Sequence, residues 1–144
     1  MGILNDFSKR GQMNGLENYK RIVEWVPIET MKKFVHVDRA APDMSHYTEE
    51  DWAELKQSLE QGWTDPLMIL YFSRDKTAIL GEGNHRLAAA IQLGMDSVPV
   101  RVWRMSMAGS ESSYADNVVP VPGAEADKHG YVPADLKPSD IGLI

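Results

Sequence analysis

A tight turn within ILGEGNHRLAAAI, at residues 79–91, places four side chains capable of chemistry within five positions. In order, these are Glu82, Asn84, His85 and Arg86. An apolar run precedes them and an alanine-rich run follows, which predicts a strand that enters a helix through the turn. The first N–H groups of a helix have no partner within the helix and lie at the positive end of its dipole. The turn is therefore a candidate anion site.

Five residues of this turn are the predicted phosphate ligands. Gly81 and Gly83 can adopt positive φ angles and let a ligand approach the backbone closely. Asn84 can cap the helix or donate a hydrogen bond to a phosphate oxygen. His85 and Arg86 fall in the first helical turn, and a charge-assisted contact from the arginine is worth about 1.5–3 kcal/mol.

Glu82, His85 and Arg86 form the candidate catalytic set. Glu82 can hold Mg²⁺ or act as a general base. The two basic side chains can neutralise the charge that develops during phosphoryl transfer. Because a cation at a helix N-terminus is unfavourable by about 0.3–1 kcal/mol, the His-Arg pair fits a turn that an anion normally occupies.

A purely structural interpretation of the turn stays open at the level of sequence. In it, Asn84 is only an N-cap, and Arg86 pairs with an acidic residue of the helix that begins after Thr48. The Gly-x-Gly pattern is weakly specific by itself. The turn lacks both the Gly-Lys-Ser/Thr of a Walker loop and the third glycine of a dinucleotide fingerprint.

The surrounding sequence predicts the elements that would position this turn. Thr48 opens the clearest helix, with Asp51 completing a capping box and Gly62 ending the helix. The predicted strands are Ile22–Ile28, Pro66–Phe72, Thr77–Leu80 and Ser97–Trp103. The first is predicted to be an edge strand because it contains Pro27, and the second is predicted to be buried because its run is continuously apolar. The order β–loop–α–β–turn–β–loop–α–β is completed by a loop at 35–47, a turn at 73–76 and a helix at Leu87–Leu93. This predicts a small α+β (α/β) domain with a mixed sheet.

The two ends of the chain have a different composition. Residues 1–20 are polar and predict an N-terminal arm or a short helix, and residues 21–104 form the predicted domain. Residues 105–144 hold four prolines and predict an extended C-terminal arm with little core of its own. A second subunit or the surface of the domain would have to hold this arm.

Composition limits the location and the partners of the protein. The 144 residues have a formal net charge of −6, which disfavours indiscriminate nucleic-acid binding, and they include no cysteine. The sequence shows neither a signal peptide nor an apolar run long enough for a membrane helix, so we expect a cytoplasmic protein without membrane contact. Residues 74–104, which contain the turn, have five basic and three acidic side chains and are locally basic.

The segment from Trp63 to Val102 resembles the ParB/sulfiredoxin superfamily. GEGNHRLAA at residues 81–89 fits the family frame GERRxRAA, DGHxRxxA or GGCHRxxA, and VPV at 98–100 follows at the usual distance. The upstream GWTDPL at 62–67 resembles the second family box, a glycine and a short turn before Gln-Pro-Ile. The resemblance implies a ParB/sulfiredoxin-like fold.

The resemblance also implies a nucleotide ligand, with ATP, ADP and CTP as candidates and Mg²⁺ as the candidate cofactor. The implied activity is NTP hydrolysis or phosphotransfer, with Thr64 and Asp65 on the facing loop to contact the ribose or base. Sulfiredoxin chemistry is excluded, because Asn84 stands where that enzyme needs a cysteine. The arginine pair of GERR is replaced by Gly83 and Asn84, so CTP specificity does not follow.

Two other functions stay open. The first is a non-enzymatic phage or mobile-element interaction module that acts on a host protein or on DNA. The acidic C-terminal arm, residues 105–144, favours a protein partner or a homo-oligomer over direct DNA binding, and we expect no helix-turn-helix there. The second is a ParB-like nuclease, which is weaker because Glu82 is the single carboxylate beside the turn and two-metal chemistry uses several.

Overall fold

The computed structural model describes Leu16 and residues 22–35, 47–126, 128–133 and 135–144. Within these residues the strands are β1 Glu24–Pro27, β2 Leu67–Phe72, β3 Thr77–Glu82, β4 Ser97–Met105 and β5 Val119–Pro120. The α-helices are α1 Ile28–Met31, α2 Glu49–Gln61 and α3 Asn84–Gln92. Short 3₁₀ turns occupy Lys32–Phe34, Gly109–Glu111, Ala115–Asn117 and Pro138–Ile141. None of the helices described has the length and apolarity needed to cross a bilayer.

The strands form one mixed sheet in the order β1-β4-β2-β3-β5. β2 and β4 are parallel, and the other neighbouring pairs are antiparallel. This confirms the predicted α+β class. β1, with Pro27 at its end, lies at the edge of the sheet as predicted. β2 lies between two neighbours and is buried at every position except Met68, which agrees with its continuous apolar run.

α2 begins and ends where the sequence indicates. The Asp51 N–H donates to Thr48 Oγ1 and the Thr48 N–H donates to Asp51 Oδ2, both at 3.0 Å, which confirms the capping box. The helix ends at Gly62, which occupies the C-cap. α2 packs beside α3, where Trp52 Nε1 donates to Gln92 Oε1 at 3.0 Å. The two helices therefore cover one face of the sheet together.

The side chains of the sheet alternate between two apolar clusters of unequal size. The main core, on the helix side, buries Ile69 and Tyr71 of β2 together with Leu87 of α3. A smaller cluster on the opposite face contains Leu70, Phe72 and Ile79. The helix face therefore supplies most of the buried apolar surface that stabilises the domain.

The C-terminal segment 105–144 packs on the domain itself. β5 extends the sheet by pairing with β3, and Leu136 and Ile141 are buried in the main core. The backbone N–H and the hydroxyl of Ser139 donate to the Glu24 carboxylate at 2.7 and 3.0 Å. The predicted boundary at residue 104 therefore does not divide the core.

Some predictions concern residues that are not described. The predicted arm at 1–20 lies outside the described residues except for Leu16, which is buried in the main core. Most of the predicted loop at 35–47 also lies outside them, and only Val35 and Tyr47 are described.

The packing of the C-terminal segment can be tested with two isoleucines that lie three residues apart. Ile141 is 0% exposed and Ile144 is 61% exposed. We expect Ile141→Ala to lower the free energy of unfolding by about 2–5 kcal/mol, because it removes buried methyl groups and leaves a cavity. Ile144→Ala is the matched control, with an expected change within about 0.5 kcal/mol. Equal urea midpoints for the two variants would show that the segment does not stabilise the domain.

A carboxylate fixes the segment after β4 to the β2–β3 hairpin. Asp75 accepts hydrogen bonds from the Gly109 N–H at 3.0 Å, the Ser110 N–H at 3.1 Å and the Thr77 hydroxyl at 2.7 Å. Burial alone would raise the pKa of Asp75, but the hydrogen bonds from Gly109, Thr77 and Ser110 outweigh it and lower the pKa below its ordinary value. The ionised carboxylate therefore stabilises the folded chain.

Asp75→Asn is expected to lower the free energy of unfolding by about 1 kcal/mol at pH 7, because the amide keeps one acceptor oxygen but loses the bond from the Ser110 N–H and the negative charge. Because the folded pKa is depressed, the carboxylate contributes fully above its unfolded pKa of about 3.9, and the contribution is lost as pH falls through the folded value. The difference from wild type should therefore shrink below about pH 4. Asp116→Asn is the control, since the exposed Asp116 side chain makes no hydrogen bond to a described residue. A pH-independent difference would contradict this assignment.

Candidate functional site

The turn between β3 and α3 depends on one glycine with a positive φ angle. Gly83 is the N-cap of α3, with φ 102° and ψ 22°, in the left-handed region. A Cβ atom at this position would also collide with the Leu67 side chain. Glycine is therefore required here by backbone conformation and by packing at once.

The first amides of α3 are left open by this geometry. Asn84 is the first helical residue and not the cap, so the interpretation of Asn84 as N-cap is wrong. The Leu87 N–H makes the first backbone bond of the helix, to Gly83 O at 2.8 Å. Within the described part of the chain, neither the Asn84 N–H nor the Arg86 N–H has a hydrogen-bond acceptor. Two donors therefore remain available at the positive end of the helix dipole.

Arg86 braces the facing loop. Its Nη1 donates to the Asp65 carbonyl at 2.6 Å and to the Pro66 carbonyl at 3.2 Å. The alternative in which Arg86 pairs with an acidic residue of α2 is therefore wrong. The bond brings the Thr64–Asp65 loop to the turn, as predicted, but it commits one guanidinium nitrogen to backbone carbonyls.

Gly81 has a packing role and not the predicted positive φ angle. It lies within β3 in extended backbone. The register of β2 and β3 shifts between Met68 and Ile69, whose partners are Glu82 and Leu80, so Gly81 lies at a bulge. A Cβ on Gly81 would lie 2.8 Å from Leu70 Cγ, which explains the need for a small residue.

An aromatic cluster that the sequence reading did not predict lies against the start of α3. The Tyr47 ring stacks on His85, with centroids 4.3 Å apart and an interplanar angle of 9°. Trp52 meets Tyr47 edge-on at 5.7 Å and His85 at 6.4 Å. Tyr47 precedes the N-cap Thr48 and Trp52 is at N4, which is the spacing of a hydrophobic staple. That spacing is the signal from which Tyr47 could have been found.

The remaining predicted residues are exposed around the turn. Thr64 and Asp65 are exposed on the braced loop, and Glu82 is exposed at the end of β3. The described residues contain no group of three side chains able to hold a metal ion. The Mg²⁺ role of Glu82 stays a prediction, because Mg²⁺ commonly takes one or two carboxylates and completes its shell with water and phosphate.

Comparison with known proteins identifies the family. The ParB N-terminal domain family matches residues 14–115, and the chain therefore belongs to that family. This confirms the resemblance that the turn at residues 81–89 indicates. The crystal structure of sulfiredoxin from Arabidopsis thaliana is similar, with a TM-score of 0.43 and 20% identity over 58% of this chain and 86% of that chain. No curated protein gave a significant match.

The requirement for Gly83 can be tested against Gly94, a second glycine with a positive φ angle, which lies just after the other end of α3. Gly94 has φ +71°, but a Cβ there would meet no atom within 4 Å. Gly94→Ala should cost only the left-handed strain, about 1–2 kcal/mol. Gly83→Ala adds the collision with Leu67 and should cost about 1–3 kcal/mol more. Urea unfolding measures both variants, and equal losses would contradict the close contact between Gly83 and Leu67.

Proposed function

We propose that the N-terminus of α3 binds the phosphate groups of a nucleotide. The observation that carries the proposal is the pair of open amides, Asn84 N–H and Arg86 N–H, behind a left-handed Gly83. Backbone amides at the start of a helix are an effective donor set for phosphate oxygens. The chain belongs to the ParB N-terminal domain family, and the nucleotide ligand is our proposal.

The side chains around those amides would have different roles in binding the nucleotide. Arg86 holds the loop in place through Nη1 and offers its remaining N–H groups and its charge to the phosphates. Thr64 and Asp65, on the braced loop, would contact the ribose or the base. ATP, ADP and CTP are the candidate ligands.

Turnover of the nucleotide is a second part of the proposal. His85 would help to neutralise charge on the phosphoryl group, and Glu82 would position Mg²⁺ or a nucleophile. Hydrolysis and transfer to an acceptor differ only in which oxygen nucleophile attacks the phosphorus. Both reactions need the phosphates on the amides of α3, so binding is tested first.

Thermal shift with ATP, ADP, CTP and inorganic phosphate, with and without Mg²⁺, tests the binding. A ligand at about 100 times its Kd should add about 2.7 kcal/mol to the stability of the folded chain. For a domain of this size, the shift should be several degrees. Amide NMR signals of Asn84, His85 and Arg86 should move most. No shift with any nucleotide would contradict the proposal and favour an interaction module.

Asn84→Asp separates binding from folding. A carboxylate at the first helical position is favourable to the dipole by about 0.3–1 kcal/mol, so the variant should be as stable as wild type or more stable. The same charge repels phosphate, and the thermal shift should be lost. Gln57→Glu, on the exposed face of α2, is the control with the same change in charge. Arg86→Ala is less informative, because it also removes the brace to Asp65.

A further inference from the structure

A second cleft lies along the edge of β4. Four consecutive strand residues, 101–104, line it together with Ile22, Asp135 and Leu136, and its volume is about 280 Å³. β1 pairs with β4 only over residues 97–100. Among the described residues, this edge of β4 therefore has no strand partner from Arg101 onward. None of the predicted phosphate ligands lines the cleft.

Arg104, one of the residues that line this cleft, has a buried polar atom that lacks a partner. Its Nε is buried and makes no hydrogen bond, and within the described residues the side chain forms no ion pair. A buried donor that is left unsatisfied is costly, and a charged one more so. An anion that binds the Nη1 and Nη2 groups from the cleft would offset this cost. The planar guanidinium matches a carboxylate, which accepts two parallel hydrogen bonds.

The other charges in the cleft favour an anion with a single charge. Besides the positive charge of Arg104, the lining holds the carboxylate of Asp135 and the guanidinium of Arg101, which already contacts the Trp103 ring and Met68 Sδ. Asp135 makes no ion pair with a described residue, and its carboxylate therefore remains uncompensated. It would repel a multiply charged phosphate more than a monocarboxylate.

The apolar lining provides a surface for the rest of such a ligand. Trp103 is 54% exposed, although it occupies a strand position. The Arg101 guanidinium lies 5.6 Å from the Trp103 ring centroid, which holds the indole against a cation. Leu136 and Val102, both buried in the core, reach the cleft. Ligand sites commonly combine such apolar walls with a few polar groups.

We propose that this cleft binds a small organic acid, with its carboxylate on Arg104 and a flat apolar body against Val102 and Leu136. The site is separate from the candidate phosphate site on α3, and each can be present without the other. Asp135 acts as a selectivity residue, because its charge excludes polyanions.

Three probes test the ligand class on the full chain. 3-Phenylpropionate combines a carboxylate with a flat aromatic ring. Phenethylammonium has the same ring with a positive charge, and inorganic phosphate has negative charge without an apolar group. The reporter is the indole N–H signal of Trp103 in NMR titrations, assigned with Trp103→Phe. The acid should bind at least about tenfold more tightly than either of the other probes. Equal affinities, or no response to the acid, would overturn the proposal.

Variants assign the roles of the two charged residues. Arg104→Gln should weaken the acid at least about tenfold, and Arg104→Lys should weaken it less because the charge remains. Asp135→Asn should tighten it. Arg74→Gln is the control, since Arg74 pairs with Glu111 at 3.6 Å and does not line the cleft. Unchanged affinity in Arg104→Gln, or weaker binding in Asp135→Asn, would overturn the assignment.

The melting temperature without ligand distinguishes a binding residue from a structural one. Because Arg104 Nε has no partner within the described chain, Arg104→Gln should melt at the wild-type temperature or above it. A clear loss of stability in both Arg104→Gln and Arg104→Lys would show that the guanidinium is part of the fold, and would overturn its assignment as a ligand-binding group.

Discussion

The hydrogen bonds from Arg86 to the Asp65 and Pro66 carbonyls are the constraint on which the candidate site depends. They join two segments that are about twenty residues apart in the chain, the loop before β2 and the first turn of α3. A charged donor on backbone carbonyls is a strong bond, and it fixes the loop relative to the helix amides. The exposed Thr64 and Asp65 side chains lie on the loop that this bond fixes.

Gly83 makes that approach sterically feasible. Its left-handed conformation ends β3 and starts α3 within one residue, and its missing side chain leaves room for Leu67. Leu67 opens β2 directly after Pro66, so the contact and the Arg86 brace connect the same two segments. The tight turn, the loop and the first strand residue consequently form one unit. A side chain at Gly83 would separate them before it affected any ligand.

The topology explains how so small a domain holds this unit in place. β2 and β4 are parallel neighbours, and the chain passes from one to the other through β3 and α3. Parallel strands need such a crossover, and the crossover helix must pack back on the sheet. Leu87 and Ala90 of α3 are buried in the main core and fix its axis. The C-terminal segment completes the same core, so the ends of the described chain stabilise the sheet that holds the turn.

The sequence by itself determined the local elements. The capping box of Thr48 and Asp51, the buried run of β2 and the strand-turn-helix around Gly83 follow from short-range patterns, and the structure has each of them. Contacts between distant residues did not follow. Three such contacts depend on which segments the fold brings together. Arg86 donates to backbone carbonyls, Gly81 makes room for Leu70, and Tyr47 stacks on His85. Tertiary structure also placed Ile141 in the core and left the Arg104 Nε without a partner, because burial and hydrogen-bond geometry are properties of the packed chain and not of residue order.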